Sequence, residues 1–197
     1  MSPEQLARVR RRRHRRAHAQ AGRAEELTMR ILVVFESMFG ATEQIARAVG
    51  KGLAAEVINV DDAPADLTGV DLLVAGGPTH AHGMSRATTR KSAADQGDQP
   101  TRSKTGVREW LGSLGPVPQG LPVAAFDTRI DKSRLLTGAA SLGIAKLLRR
   151  RGCRMAAPAE SFFVGTDPAD VGLAPRELER AEAWGTALGA AARRPVS

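Results

Sequence analysis

The sequence predicts an α/β domain built as a three-layer sandwich, with a five-stranded parallel sheet covered by helices on both faces. Three observations predict it. Short apolar runs alternate along the chain with stretches whose apolar residues recur every three or four positions, as strands and amphipathic helices require. The order is strand, helix, strand, which favours parallel strands joined by crossover helices. The first run is apolar at every position rather than at every second one, the mark of a strand buried on both faces.

Ile31-Leu32-Val33-Val34-Phe35 is that first run. Ile45, Val49 and Leu53, with Ala46 beside them, mark the first helix. Glu56 to Val60 reads as the second strand, stopped by Asp61-Asp62-Ala63-Pro64. Val70 to Ala75 reads as the third, ending at Gly76-Gly77-Pro78. From Thr79 to Thr105 no periodicity is visible, so this stretch is expected to be a loop, and a loop of that length in a compact domain is usually functional or disordered. Val107, Trp110, Leu111 and Leu114 restore the helical spacing. Leu121 to Phe126 reads as the fourth strand. Ala140, Ile144, Leu147 and Leu148 mark the next helix, which closes on Arg149-Arg150-Arg151 with Gly152 as its cap. The fifth strand runs from about Arg154 to Val164 and holds Pro158, which predicts a bend or an edge position. Leu178, Ala181, Trp184 and Leu188 form the last helical stripe.

The charge of +8 is unevenly spread. Residues 1–28 hold eight Arg and three Glu, so +5 lies there and only +3 remains for the rest. Residues 1–28 are therefore read as a basic, Arg-rich extension, disordered or partly helical, residues 29–192 as the domain and 193–197 as a C-terminal tail. The run Arg10 to Arg16 has the charge of a nucleic-acid anchor, but it has no aromatic residue on which bases can stack. It is read as a solvated extension. Met29 directly precedes the first strand and is a candidate start of the native chain. Cys153 is the single cysteine, which excludes an internal disulfide and fits a reducing cytoplasm. No apolar run reaches the ~18 residues that a membrane span needs, and no apolar segment follows the basic start as in a secretory signal.

In such sheets ligands bind beyond the strand C-termini, where the strand order reverses. For the order 2-1-3-4-5 this is between strands 1 and 3. The loops to search are Glu36–Thr42, Gly76–Ser85 and Asp127–Asp131. The first, Ser37-Met38-Phe39-Gly40-Ala41-Thr42, joins a strand to a helix N-terminus, where free backbone N–H groups form an anion cradle. Gly40 permits the close turn, and Ser37 and Thr42 offer hydroxyls. The loop has no Lys or Arg, which suits a phosphate monoester neutralised by dipoles. The Walker and dinucleotide glycine patterns are both absent. Asp61, where a ribose-binding acid would fall, is then a turn residue.

At these residues the chain resembles the flavodoxin-like family. The likeness rests on Met29 to Thr42, then on Asp71-Leu72-Leu73-Val74-Ala75-Gly76-Gly77-Pro78-Thr79-His80, and follows the strand and helix order to about residue 190. The resemblance implies FMN as cofactor, its phosphate on residues 37–42. It implies that the ring packs against Pro78, Thr79, His80, Ala81, His82 and Gly83 and against Asp127, Thr128 and Arg129. Arg129 would lie near the N1–O2 edge of the flavin and favour its reduced, anionic form. Family members usually sandwich the ring between Trp or Tyr residues. This chain has no Tyr, and Trp110 and Trp184 lie outside the loops, leaving Phe39, His80 and His82 as flat faces. No metal site is expected, because no Cys or acidic partner accompanies His80 and His82. The implied activity is electron transfer or flavin-dependent oxidoreduction, with no catalytic residue assigned. Arg86, Arg90, Lys91, Arg102 and Lys104 point to an anionic substrate or an acidic redox partner. The alternative is a flavin-free member of the fold acting through interaction.

Overall fold

A computed structural model describes residues 29–80, 83–96, 101–133, 137–165 and 172–192. The extension at 1–28, the tail at 193–197, and Ala81 and His82 lie outside the described residues.

Seven strands and five helices follow in order among them: β1 (Ile31–Phe35), α1 (Ala41–Leu53), β2 (Glu56–Asn59), β3 (Leu72–His80), β4 (Gly83–Met84), α2 (Ala87–Gln96), α3 (Val107–Ser113), β5 (Pro122–Ile130), α4 (Ala140–Arg150), β6 (Arg154–Met155), β7 (Glu160–Val164) and α5 (Glu177–Ala192). The sheet runs β2-β1-β3-β5, all parallel. Both β6 and β7 then pair in parallel with β5, one after the other. They are the two halves of one edge strand, divided around Pro158 as that residue requires. The expected five-position order is therefore present, with β4 added as a short antiparallel hairpin partner of β3.

Alternate residues feed two cores. Leu32, Val34, Leu73, Ala75, Val123 and Ala125 pack on one face with Trp110, Leu111, Ile144 and Leu148 of α3 and α4. Ile31, Val33, Phe35, Leu72, Val74 and Phe126 pack on the other with Ile45, Val49, Ala181 and Leu188 of α1 and α5. This is the period of two that a strand imposes, used on both faces at once. Helices α1 and α5 approach so closely that a Cβ on Gly185 would run into the Val49 carbonyl oxygen.

Three expectations need correction. The stretch 79–105 is not a plain loop. It contains the end of β3, β4 and the ten-residue helix α2. Helix α2 has no apolar stripe to reveal it. It is held instead by polar contacts: the Thr89 hydroxyl accepts the Arg86 amide at 2.9 Å, and Lys91 pairs with Asp95 one turn on. Strands β3 and β5 also run longer than the apolar runs suggest. Their pairing continues through Pro78↔Thr128, so residues 127–129 are strand rather than loop. Finally, Leu178 faces outward at 44% exposure. Glu177 takes the inner position, where its carboxylate accepts the Phe163 amide and two bonds from Arg180.

Candidate functional site

The C-terminal ends of β1, β3 and β5 lie side by side and open on a cleft of about 160 Å³. Met38, Phe39, Ala41 and Thr42 line it from the β1–α1 loop, Pro78, Thr79 and His80 from the end of β3, and Thr128 and Arg129 from β5. Residues far apart in sequence are thus brought together where the strand order reverses. Ile130 and Val164 complete the wall. Ile130 lies inside the searched loop and Val164 at the end of the expected fifth strand, but neither carries a polar group that would mark it as a site residue. Gly83 pairs with His80 in the β3–β4 hairpin and does not line the cleft.

The β1–α1 loop is shaped by two local features. Gly40 has φ +103°, a conformation L side chains rarely adopt. The buried Ser37 hydroxyl accepts the Gly40 amide at 3.1 Å and closes the turn. Within the described residues no hydrogen bond engages the amides of Met38, Phe39, Ala41 or Thr42. They cluster at the N-terminus of the 13-residue helix α1, where the helix dipole adds to their pull on an anion. The amide of Ser37 is already used by the Ser103 hydroxyl at 2.9 Å. The buried hydroxyls of Thr42 and Thr128 bond each other at 2.7 Å. Two hydroxyls carry two protons, and this contact uses one, so the other remains to donate to a ligand.

At the opposite wall the side chains divide. Asp127 turns away from the cleft. Its Oδ2 accepts the Ser141 amide at 2.8 Å at the start of α4, and Oδ1 has no partner among the described residues. Thr79 gives its hydroxyl oxygen to the Ala140 amide at 2.9 Å. Both therefore cap α4, a role the resemblance does not suggest. Arg129 is enclosed, at 7% exposure. Its Nη1 donates to the carbonyls of Ile130 and Lys132 and to the Thr137 hydroxyl, and its guanidinium lies 5.0 Å from the Phe163 ring centroid. Its Nε has no partner among the described residues. A desolvated cation fixed in this way is a lasting positive charge on the cleft wall.

Neither Trp reaches the cleft. Trp110 is buried against α4 with its indole N–H on the Pro64 carbonyl, and Trp184 packs edge-on against Phe126 and Phe162. Phe39 is 43% exposed at the rim. The His80 ring, partly enclosed, is held below its ordinary pKa by burial and by the charge of Arg90, so it is neutral at pH 7.

Behind the loop sits a group that the sequence did not mark. Glu36 is fully buried. Its Oε2 accepts the Val107 amide at 2.9 Å, while Oε1 has no hydrogen-bond partner among the described residues. Burial pushes its pKa above the usual carboxylate range, against the opposing effects of the Ser85 hydroxyl, the Val107 amide and the Arg90 charge. Arg90 is itself tied to Ser85 and Glu109.

The sequence matches no protein-family model and no curated protein. Solved structures do resemble it. A flavodoxin from the domain Archaea is 19% identical with a TM-score of 0.59, over 84% of this chain and 100% of that one. Flavodoxin 1 from Bacillus cereus is 17% identical with a TM-score of 0.58, over 85% and 99%. A flavodoxin, WrbA-like protein from Agrobacterium tumefaciens is 18% identical with a TM-score of 0.54, over 84% and 98%. The chain has a flavodoxin-like fold. No described helix is long and apolar enough to cross a membrane.

Proposed function

We propose that this chain is an FMN-binding redox protein that works in the cytoplasm, and that the cleft between the ends of β1, β3 and β5 is its flavin site. The observation that carries this reading is the set of uncommitted amides of Met38, Phe39, Ala41 and Thr42 at the start of α1, opening on the same cleft as His80, Thr128 and Arg129. The residues present fit the group. The amides and the spare Thr42–Thr128 proton suit a terminal phosphate, and Pro78, Phe39 and His80 offer flat or apolar surface for a ring. When bound, FMN supplies redox chemistry by one or two electrons.

The chain's own residues bias that chemistry. Arg129 keeps a positive charge on the wall that faces the ring, which favours acceptance of negative charge during reduction. Neutral His80 adds apolar contact without a second full charge. Such a site suits a flavin-dependent oxidoreductase at least as well as an electron carrier. Arg86, Lys91 and Lys104, cations of the segment between β4 and α3, suit an anionic substrate or an acidic redox partner. A second reading, a flavin-free interaction protein, draws support from one observation: both Trp residues are committed to the core.

The absorbance spectrum of the purified protein separates the two. A flavin band, with FMN released on denaturation and identified by chromatography, is the expected result. Released FAD would overturn the monoester reading. A colourless protein that takes up no added FMN would favour the second reading.

A further inference from the structure

We propose that Arg102, supplied from the segment before α3, is the phosphate-binding cation of this site, and that Glu43 holds it in place in competition with the ligand. The inference rests on reading the cleft as an FMN site. The β1–α1 loop has no Lys or Arg of its own. The fold brings one in from 60 residues away. A Cβ on Gly40 would meet the Arg102 guanidinium at 3.1 Å, at both Cζ and Nε. The guanidinium therefore lies directly on the turn that shapes the amide cradle.

The backbone of Arg102 is fastened to the same loop. Its amide donates to the Met38 carbonyl at 3.1 Å, and its carbonyl accepts the Asn59 side chain at 3.0 Å. The next residue, Ser103, takes the Ser37 amide. The side chain is 53% exposed and only partly used. Nη1 donates to Glu43 Oε2 at 2.7 Å, while Nε and Nη2 take no partner among the described residues. That free edge is the fork with which Arg binds two oxygens of a phosphate. Arg102 borders the loop without itself lining the cleft; on the cleft wall the enclosed Arg129 also has an unpartnered Nε, a separate sign that the cleft is built for an electron-rich group.

Glu43 gives the arrangement its sign. It lies in the first turn of α1, and hydrogen bonds from Arg47 and Arg102 outweigh its burial and hold its carboxyl below the usual range. It is therefore an ionised carboxylate beside an anion site, and it occupies the cation that the phosphate needs. Removing Arg102 and removing Glu43 should then act in opposite directions on ligand affinity. A purely structural ion pair would make the two removals act alike.

The test uses the full chain and flavin fluorescence quenching, with FMN and riboflavin as probes for wild type, Arg102→Gln, Arg102→Lys and Glu43→Gln. Arg102→Gln should weaken FMN about tenfold, the range of one charged hydrogen-bonding contact, and leave riboflavin unchanged. Arg102→Lys should recover part of the loss. Glu43→Gln should bind FMN more tightly than wild type. A Glu43→Gln variant that binds FMN no more tightly than wild type overturns the proposal, as does an Arg102→Gln loss that is the same for FMN and riboflavin. If wild type binds neither flavin, the FMN reading fails on its own. Arg102 is then judged by inorganic phosphate: a rise in melting temperature that is absent in Arg102→Gln upholds an anion site there, and no rise overturns it.

Discussion

Two stretches of chain meet at the start of α1 and are held in different ways. Residues 37–42 make their own turn. The Gly40 backbone makes the turn, and the Ser37 hydroxyl closes it within four residues. Residues 102–107 are held by others. Asn59 takes the Arg102 carbonyl, Asp61 takes the amides of Lys104 and Thr105 at 2.8 and 2.7 Å, and Glu36 takes the Val107 amide. The difference explains which of the two the sequence reveals. A stretch whose conformation is fixed by its own residues leaves a local pattern. A stretch fixed by partners 43 to 71 positions away leaves none.

The strongest way to break the comparison is to remove the hydroxyls of the self-held loop. The double change Ser37→Ala and Thr42→Ala removes two hydrogen bonds that would reach a charged phosphate. Each is worth about 1.5–3 kcal/mol, so FMN affinity should fall at least tenfold. The mutual bond of Thr42 and Thr128 adds a refinement. Thr42→Ala alone frees the Thr128 hydroxyl and should cost less than Thr42→Ala with Thr128→Ala. Thermal melts of each variant, apo and FMN-loaded, check this. If FMN raises the melting temperature of wild type and double mutant equally, the hydroxyls are not phosphate ligands.

A smaller effect sharpens the account of the borrowed stretch. Two carboxylates grip it with opposite pH signs. For Asp61, burial raises the pKa, but the amides of Lys104 and Thr105 outweigh it, and the folded pKa lies below the ordinary 3.8. Its grip is therefore present above that value and is lost as pH falls through the folded pKa. For Glu36 the folded pKa lies above the ordinary 4.5. The folded state carries no penalty from it below 4.5, and stability is lost as pH rises through the folded value. Asp61→Ala should cost about 1 kcal/mol at pH 7, since water can satisfy part of the freed, exposed amides. Glu36→Gln keeps an acceptor for Val107 and should be at least as stable as wild type at pH 7, with the gain shrinking as pH falls through the folded pKa and gone below 4.5. Denaturant melts from pH 8 down to about pH 2 read both. A Glu36→Gln protein less stable than wild type at pH 7 would mean that its charge, through Arg90, is what holds the segment.

The same division governs what could be read in advance. The strand order, the two buried faces and the loop at Ser37–Thr42 follow from Ile31–Phe35 and from one Gly between two hydroxyls. Helix α2 was not legible, because Ala87–Gln96 buries no stripe and rests on Thr89 and Lys91–Asp95. The ends of β3 and β5 were not legible either. Pro78, Thr128 and Arg129 are polar or unsuited to strands by composition, and only the pairing across Pro78↔Thr128 keeps them extended. Arg102 is the extreme case, one of two cations in a polar run, placed by the contacts of its backbone with Met38 and Asn59 and of its side chain with Glu43. Leu178 shows the converse error. Its spacing fits the helical stripe, yet Glu177 is buried in its place because Arg180 and the Phe163 amide satisfy its charge.

The smallest expected effect bounds the comparison from outside. Residues 1–28 carry +5 of the charge, and the described contacts begin at residue 29. Met29 packs on the core formed with α1 and α5. The Arg30 amide donates to Asp71 Oδ2 at 2.8 Å, and its Nη1 donates to the Thr68 carbonyl at 3.2 Å. A chain beginning at Met29 keeps all of these contacts. It should melt within about 0.5 kcal/mol of the full chain, the usual range for changes away from packed features, and retain the same flavin content. A chain beginning at Ile31 loses the Arg30 bonds and the Met29 contact and should be less stable by about 1 kcal/mol or more. Denaturant unfolding of the three lengths, with flavin absorbance followed in parallel, makes the measurement. A large loss on cutting at Met29 would mean that the extension is itself a borrowed support, like the segment over the β1–α1 loop. The domain would then begin well before its first strand.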